Sequence, residues 1–117
     1  MIPIKQVIVL ESLLGNTTTE KVLWCLLVRH EGYAREMSRV FDLPVSVIQK
    51  QLARLERGGI VVSRMVGRTR MFTLNPTYPF IRELENLLRR ALEFLPPADR
   101  APYEPNRRRP RAAGKRL

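Results

Sequence analysis

One cysteine and one histidine are the only thiol and imidazole among 117 residues. A lone cysteine forms no internal disulfide. A single Cys–His pair cannot close a four-ligand structural zinc site. No apolar run reaches the roughly 18–20 residues needed to cross a bilayer. Met1–Leu14 lacks a basic start, a long apolar run and a small-residue cleavage site, so no secretory signal is expected and the cytoplasm is the expected address. Acids are also scarce, at 11 Asp+Glu against 21 Lys+Arg, a net charge of +10. There is no carboxylate pair in a plausible cleft, no nucleophile beside a base, and no glycine loop after a strand. An enzyme is therefore not expected, and no metal or cofactor is implied.

The surplus of positive charge suits a polyanion such as DNA, RNA or an anionic membrane surface. It is unevenly spread. Residues 1–95 carry 14 basic and 9 acidic side chains, whereas residues 96–117 carry 7 and 2, so each part is +5. The first part has the patterning of one modest core, expected to gain from dimerising because small domains bury little surface. Residues 96–117 are rich in proline and arginine with almost no aliphatics, and are expected to be disordered. Arg107-Arg108-Arg109, Arg111, Lys115 and Arg116 form a polycation there, either a sequence-blind phosphate contact or a solubilising end. Few large apolar residues accompany these charges, so no membrane partner is expected.

Periodicity divides residues 1–95. Val7–Leu14 reads as a turn or two of helix stopped by Gly15. Asn16 or Thr17 can cap the next helix, and Thr17 with Glu20 has capping-box spacing. Val22, Leu23, Leu26 and Leu27 recur on one face to about Arg29. Tyr33–Phe41 is a shorter amphipathic helix with Tyr33, Met37, Val40 and Phe41 inward, broken at Asp42-Leu43-Pro44. Helix resumes over 45–57 and stops at Gly58-Gly59. Ile60–Val66 and Arg70–Leu74 are strands of a hairpin turning at Gly67-Arg68-Thr69. A last helix has Pro79 in its first turn and an apolar stripe of Phe80, Ile81, Leu84, Leu87, Leu88, Ala91, Leu92 and Leu95. Cys25, between Trp24 and Leu26, reads as a small buried hydrophobe and not as a redox sensor.

The helix over 45–57 carries the strongest signal. On a wheel with Ile48 at zero, Leu52 and Leu55 lie within about 40° of it and form the buried seam. Ser46, Lys50, Ala53 and Arg57 lie at about 140–200°, opposite the seam, flanked by Gln49 and Arg54. That outward face holds donors, a small residue and cations without an acid. Arg or Lys pairs with guanine O6/N7 and Gln with adenine N6/N7, while alanine permits close approach and meets a thymine methyl. Ser46, Gln49, Lys50, Ala53 and Arg54 are thus the expected base readers of double-stranded DNA. Ser46 has a second possible role as helix cap. Arg35 and Arg39 sit where the preceding helix would cross the backbone, with a merely solvated face beside Glu36 as the alternative. Arg57 extends the basic face. Arg64, Arg68 and Arg70 arm the hairpin for flanking phosphates or the minor groove, with edge protection as the alternative for Arg64. Lys5, Lys21 and Arg29 carry no argument beyond net charge. Ile81, Leu84, Leu88 and Leu92 are the expected seam of a two-fold dimer.

Leu14-Gly15-Asn16-Thr17-Thr18, Gly32-Tyr33-Ala34-Arg35-Glu36, the run from Val47 to Val61 containing Leu55-Glu56-Arg57-Gly58-Gly59-Ile60-Val61, Gly67-Arg68-Thr69-Arg70 and Leu74-Asn75-Pro76 together resemble prokaryotic winged helix-turn-helix regulators of the ArsR-like type. The resemblance covers about residues 12–95. It implies an α+β, mostly α, winged helix-turn-helix domain with a C-terminal dimerisation helix, and a cytoplasmic homodimeric transcriptional regulator. Asp42 stands where the family often has glycine, a position an aspartate tolerates in the left-handed region. The cysteine and histidine clusters of metal-sensing members are absent, and the effector is not marked. The alternative is a protein-interaction winged helix, an adaptor or an antitoxin-like partner, in which the same cations would meet acids on another protein.

Overall fold

Eight of the thirteen residues of α2 (Thr17–Arg29) are buried, which makes this helix the centre of the molecule. The structure is a computed structural model describing residues 10–103. Val22, Leu23, Trp24, Cys25 and Leu26 are all about 1% exposed or less. Before α2, the single turn α1 (Glu11–Leu14) closes on Gly15 in the left-handed region, φ 100°. The expected helix before Glu11 lies mostly outside the described residues. Asn16 caps α2, its Oδ1 accepting from the Thr19 N–H at 2.7 Å. The Thr17–Glu20 capping box does not form. With Asn16 as cap, the third helical position is Thr19, and Glu20 is one residue too far along to reach back. Glu20 is instead buried, and its carboxylate accepts from the Leu10 N–H at 2.8 Å.

Helix α3 (Ala34–Phe41) buries Met37 and ends on Asp42 at φ 55°, the left-handed stop expected of it. The Ser38 hydroxyl donates to the Leu43 carbonyl and steadies the bend. Helix α4 (Val45–Arg57) then packs Ile48, Leu52 and Leu55 against α2 and α3. Gly59, at φ 80°, allows the Ile60 N–H to reach back to the Leu55 carbonyl at 3.0 Å.

Strands β1 (Val61–Val66) and β2 (Thr69–Leu74) pair antiparallel from Val61–Leu74 out to Val66–Thr69. The turn is therefore two residues, Gly67-Arg68, not three, with Gly67 at φ 64°. Glycine at the first of two turn positions gives the twist that matches the strands. Gly32 exchanges two backbone hydrogen bonds with Phe72, at 2.8 and 3.0 Å. A β-carbon on Gly32 would lie 2.8 Å from the Met37 methyl, so that side chain would have to shift to admit one.

Helix α5 (Ile81–Leu92) is shorter than expected. Pro79 precedes it, Phe80 is its cap, and Leu95 lies beyond its end. Leu88 corrects the expected dimer seam: it is fully buried within this chain's own core, beside Ala91 and Leu95. Phe80, part of the expected apolar stripe, is 62% exposed.

The boundary at residue 96 also moves. Pro97–Arg100 (α6) and Ala101–Tyr103 (a 3-10 turn) fold back onto α2. Tyr103 is buried, edge-on to Trp24 at 5.4 Å and tilted on Phe41 at 5.6 Å. Arg29 donates to the carbonyls of Pro102 (2.7 Å) and Tyr103 (3.4 Å) and pairs with Glu36 at 3.6 Å. One aromatic and two satisfied carbonyls suffice to order a segment whose composition reads as tail. The polycation from Arg107 to Arg116 lies outside the described residues.

Candidate nucleic-acid interface

Because Ile48, Leu52 and Leu55 turn inward, Ser46, Gln49, Lys50, Ala53 and Arg57 are left exposed along α4. Ser46 is not the cap; that position is Pro44, which makes no side-chain cap bond. The side chains of Lys50 and Arg57 form no hydrogen bond or ion pair among the described residues, nor do those of Arg35 and Arg68. Arg39 is exposed and lies 3.4 Å from the Tyr33 hydroxyl, to which it donates.

A cleft of about 490 Å³ separates α4 from the hairpin. Arg35 borders it from α3, Gln49 and Ala53 from α4, and Arg68 and Arg70 from the hairpin. Five of the expected contact residues thus converge on one concavity, although they span 36 positions of sequence from Arg35 to Arg70. Tyr33 and Phe72 also line it. Tyr33, expected inward, is half-buried and helps to form the cleft wall.

Three further arginines of the expected contact set are engaged by the protein itself. Arg70 donates to the Ser63 hydroxyl at 2.9 Å, and Ser63 donates to the Glu56 carboxylate at 2.7 Å. Glu56 therefore borders the same cleft, an acid that the wheel puts to one side of the basic face. Arg64 lies on the other face of the hairpin, by strand alternation, and pairs with Glu31 at 2.9 Å. Arg54 turns from the outward face toward α2, donating to Gln51 Oε1 at 3.0 Å and to Thr19 Oγ1 at 2.8 Å. Thr19 and Gln51 carry no signal at the sequence level, because their proximity depends on how α2 crosses α4.

Among the described residues no group of three or more His, Cys, Asp or Glu side chains is placed to hold a metal ion. No described helix is long and apolar enough to cross a membrane. Burial pushes the Cys25 thiol up to about 11, an effect that outweighs the nearby Arg29 guanidinium and is reinforced by Glu36. A thiol held in its protonated form is a poor nucleophile and a poor metal ligand.

The sequence matches no protein-family model and no curated protein. Two solved structures share its fold. Reduced HlyU from Vibrio cholerae N16961 superposes with a TM-score of 0.55 at 29% identity, over 71% of this chain and 84% of HlyU. A double mutant of Lactococcus lactis ZitR in its apo form gives a TM-score of 0.51 at 16% identity, over 66% of this chain and 61% of ZitR. The fold is a winged helix-turn-helix. In that frame α3 and α4 are the helix-turn-helix pair, the β1–β2 hairpin is the wing, and the cleft is the angle between α4 and the wing.

Proposed function

We propose that this chain is a sequence-specific, double-stranded-DNA-binding transcriptional regulator acting as a homodimer. The observation that carries the reading is the exposed face of α4 formed by Ser46, Gln49, Lys50 and Ala53, of which Gln49 and Ala53 border the same cleft as the wing arginines. The fold shared with HlyU and ZitR, both winged-helix regulators, supports it.

In this reading α4 lies in the major groove. Lys50 donates to guanine O6 and N7, Gln49 pairs with an adenine edge, and Ala53 lets the helix approach and meets a thymine methyl. Arg35, Arg39 and Arg57 take backbone phosphates, which fix register without reading sequence. Arg68 at the wing tip reaches flanking phosphates or the minor groove, where a narrow groove concentrates negative potential. Arg70 joins it once released from Ser63. Arg64, tied to Glu31 on the wing's far face, contributes least.

The dimer contact uses the apolar face that the last helix and its ends leave uncovered: Phe80, Leu87 and Phe94, spaced every seven residues and 62%, 38% and 50% exposed, with the half-buried Ile81, Leu84 and Leu92 beside them. A contiguous apolar face on a small chain is best covered by its own copy about a two-fold axis. The axis then sets two α4 helices about one DNA turn apart.

Selection of bound duplexes from a random pool tests the whole reading. The expected result is an enriched site with dyad symmetry and half-site centres about 10–10.5 bp apart, or a multiple. A pool with no enriched sequence would overturn it and leave the protein-interaction adaptor as the better account.

A further inference from the structure

An apolar seam holds a helix against a core without fixing its rotation about its own axis, because hydrophobic contact has no direction. Ile48, Leu52 and Leu55 form such a seam on α4. Its directional side-chain contacts are two: an exposed one, where Glu56 accepts from Ser63 of the hairpin, and a more buried one on the opposite flank, where Gln51 and Arg54 meet α2. Thr19, in the first turn of α2, is 1% exposed, yet its hydroxyl sits among three polar side chains. It lies 3.0 Å from Gln51 Oε1 and 3.0 Å from Asn16 Oδ1, and one of these takes its single proton. It accepts from Arg54 Nη2 at 2.8 Å. Arg54 Nε–H donates to the same Gln51 oxygen at 3.0 Å. Gln51 and Arg54 are three residues apart, one turn of α4, so the guanidinium and the amide grip one buried hydroxyl side by side. Asn16 in turn holds the Thr19 N–H at 2.7 Å, which anchors the hydroxyl to the cap of α2.

We propose that Arg54 is a positioning residue: with Gln51 it ties α4 to the Thr19 hydroxyl and so sets the rotation at which Gln49, Lys50 and Ala53 meet the bases. This rests on the DNA-binding reading above and reassigns one residue within it. Rotating α4 by a few tens of degrees would carry Gln49 and Lys50 off the base edges while leaving the seam buried. A buried hydroxyl that accepts from a guanidinium resists such rotation, because breaking the contact strands a desolvated polar group. Thr19 does the anchoring without touching DNA.

The test uses the full chain, the best duplex from the selection, all its single-base variants, and a random duplex. Thr19→Val keeps shape and charge but removes the hydroxyl. It should weaken the best site about five- to tenfold and leave random duplex unchanged, with Thr19→Ser restoring the loss. Arg54→Ala should lower affinity by one common factor across every single-base variant, so that the preference at each position survives. The double variant should be no weaker than Arg54→Ala alone, because both remove one strut. Loss of preference at one base pair in Arg54→Ala, with Thr19→Val indistinguishable from the parent, would overturn the proposal and make Arg54 a base reader. If Thr19→Val loses random-duplex binding too, its fold has failed and the single-base profile of Arg54→Ala decides. Failure of the DNA-binding reading looks different: the unsubstituted chain itself would enrich no site.

Discussion

The indole N–H of Trp24 donates to the backbone carbonyl of Leu88 across 2.9 Å, in the buried space between α2 and α5. The same ring meets Tyr103 edge-on. One side chain therefore joins the central helix both to the last long helix and to the segment that follows it. Trp24→Phe keeps much of the apolar volume but leaves that carbonyl without its indole partner. We expect a loss of about 1–3 kcal/mol, read as a lower urea midpoint with unchanged slope.

The closing segment should behave as part of the domain. Tyr103→Ala removes a buried aromatic and is expected to cost about 3 kcal/mol or more. Arg29→Gln gives up the guanidinium fork that holds the Pro102 and Tyr103 carbonyls, and should cost less. Thermal melts of both variants check the order. Equal stability of a chain truncated after Leu95 would contradict it.

Leu87 and Leu88 are neighbours with opposite roles. Leu87→Glu together with Phe94→Glu puts charge on the uncovered apolar face and should yield a folded monomer by sedimentation. Leu88→Ala opens a cavity in the monomer's own core and should cost about 2–5 kcal/mol. A dimer that survives the first pair would place the two-fold contact elsewhere.

Stability should fall in mild alkali. The folded-state Cys25 thiol is pushed up to about 11 from an ordinary 9.0 by burial. A raised value means that the folded form holds its proton more tightly, so the stabilisation is complete below pH 9 and is lost as pH rises toward 11. The amount is about 2–3 kcal/mol. Cys25→Ala should flatten the decline between pH 9 and 11. Burial also raises the Tyr103 phenol, with Glu20 adding to the shift, so a further decline above pH 10 should persist in that variant. Urea midpoints from pH 7 to pH 11 read both.

On DNA, Lys50→Ala should cost about 1–3 kcal/mol on the best site and relax its preference at one position. Arg68→Ala should weaken all duplexes alike and flatten the salt dependence by about 0.9 log unit for each phosphate that Arg68 neutralises. Equal loss on specific and random DNA in Lys50→Ala would remove it from base readout.

Helix α4 is legible in the sequence because one periodic seam and a Gly58-Gly59 stop both point to the same thirteen residues, and its bounds agree with the expectation. The wing is legible from β-branched runs about a glycine. What the pattern does not supply is which surface meets which. Arg54 lies on the flank of the wheel in both descriptions, but only the crossing of α2 brings Thr19 to it. The stripe of α5 is wide enough that periodicity alone does not tell Leu88, under Trp24, from Leu87 at the surface. Composition makes residues 96–103 read as tail because the partners that order them, Trp24 and Arg29, lie more than 70 positions earlier.

Gly32 gives the wing a fixed root. Its paired N–H and carbonyl make β2 a middle strand at Phe72, flanked on both edges. Beyond that point the hairpin is a cantilever of three residue pairs ending in Arg68. Its stiffness must decline outward, so amide hydrogen exchange should be slow at Phe72 and quicken toward Thr69. Under the proposed DNA-binding reading, such a gradient would let the far end adjust to a groove of variable width while α4 keeps its seat.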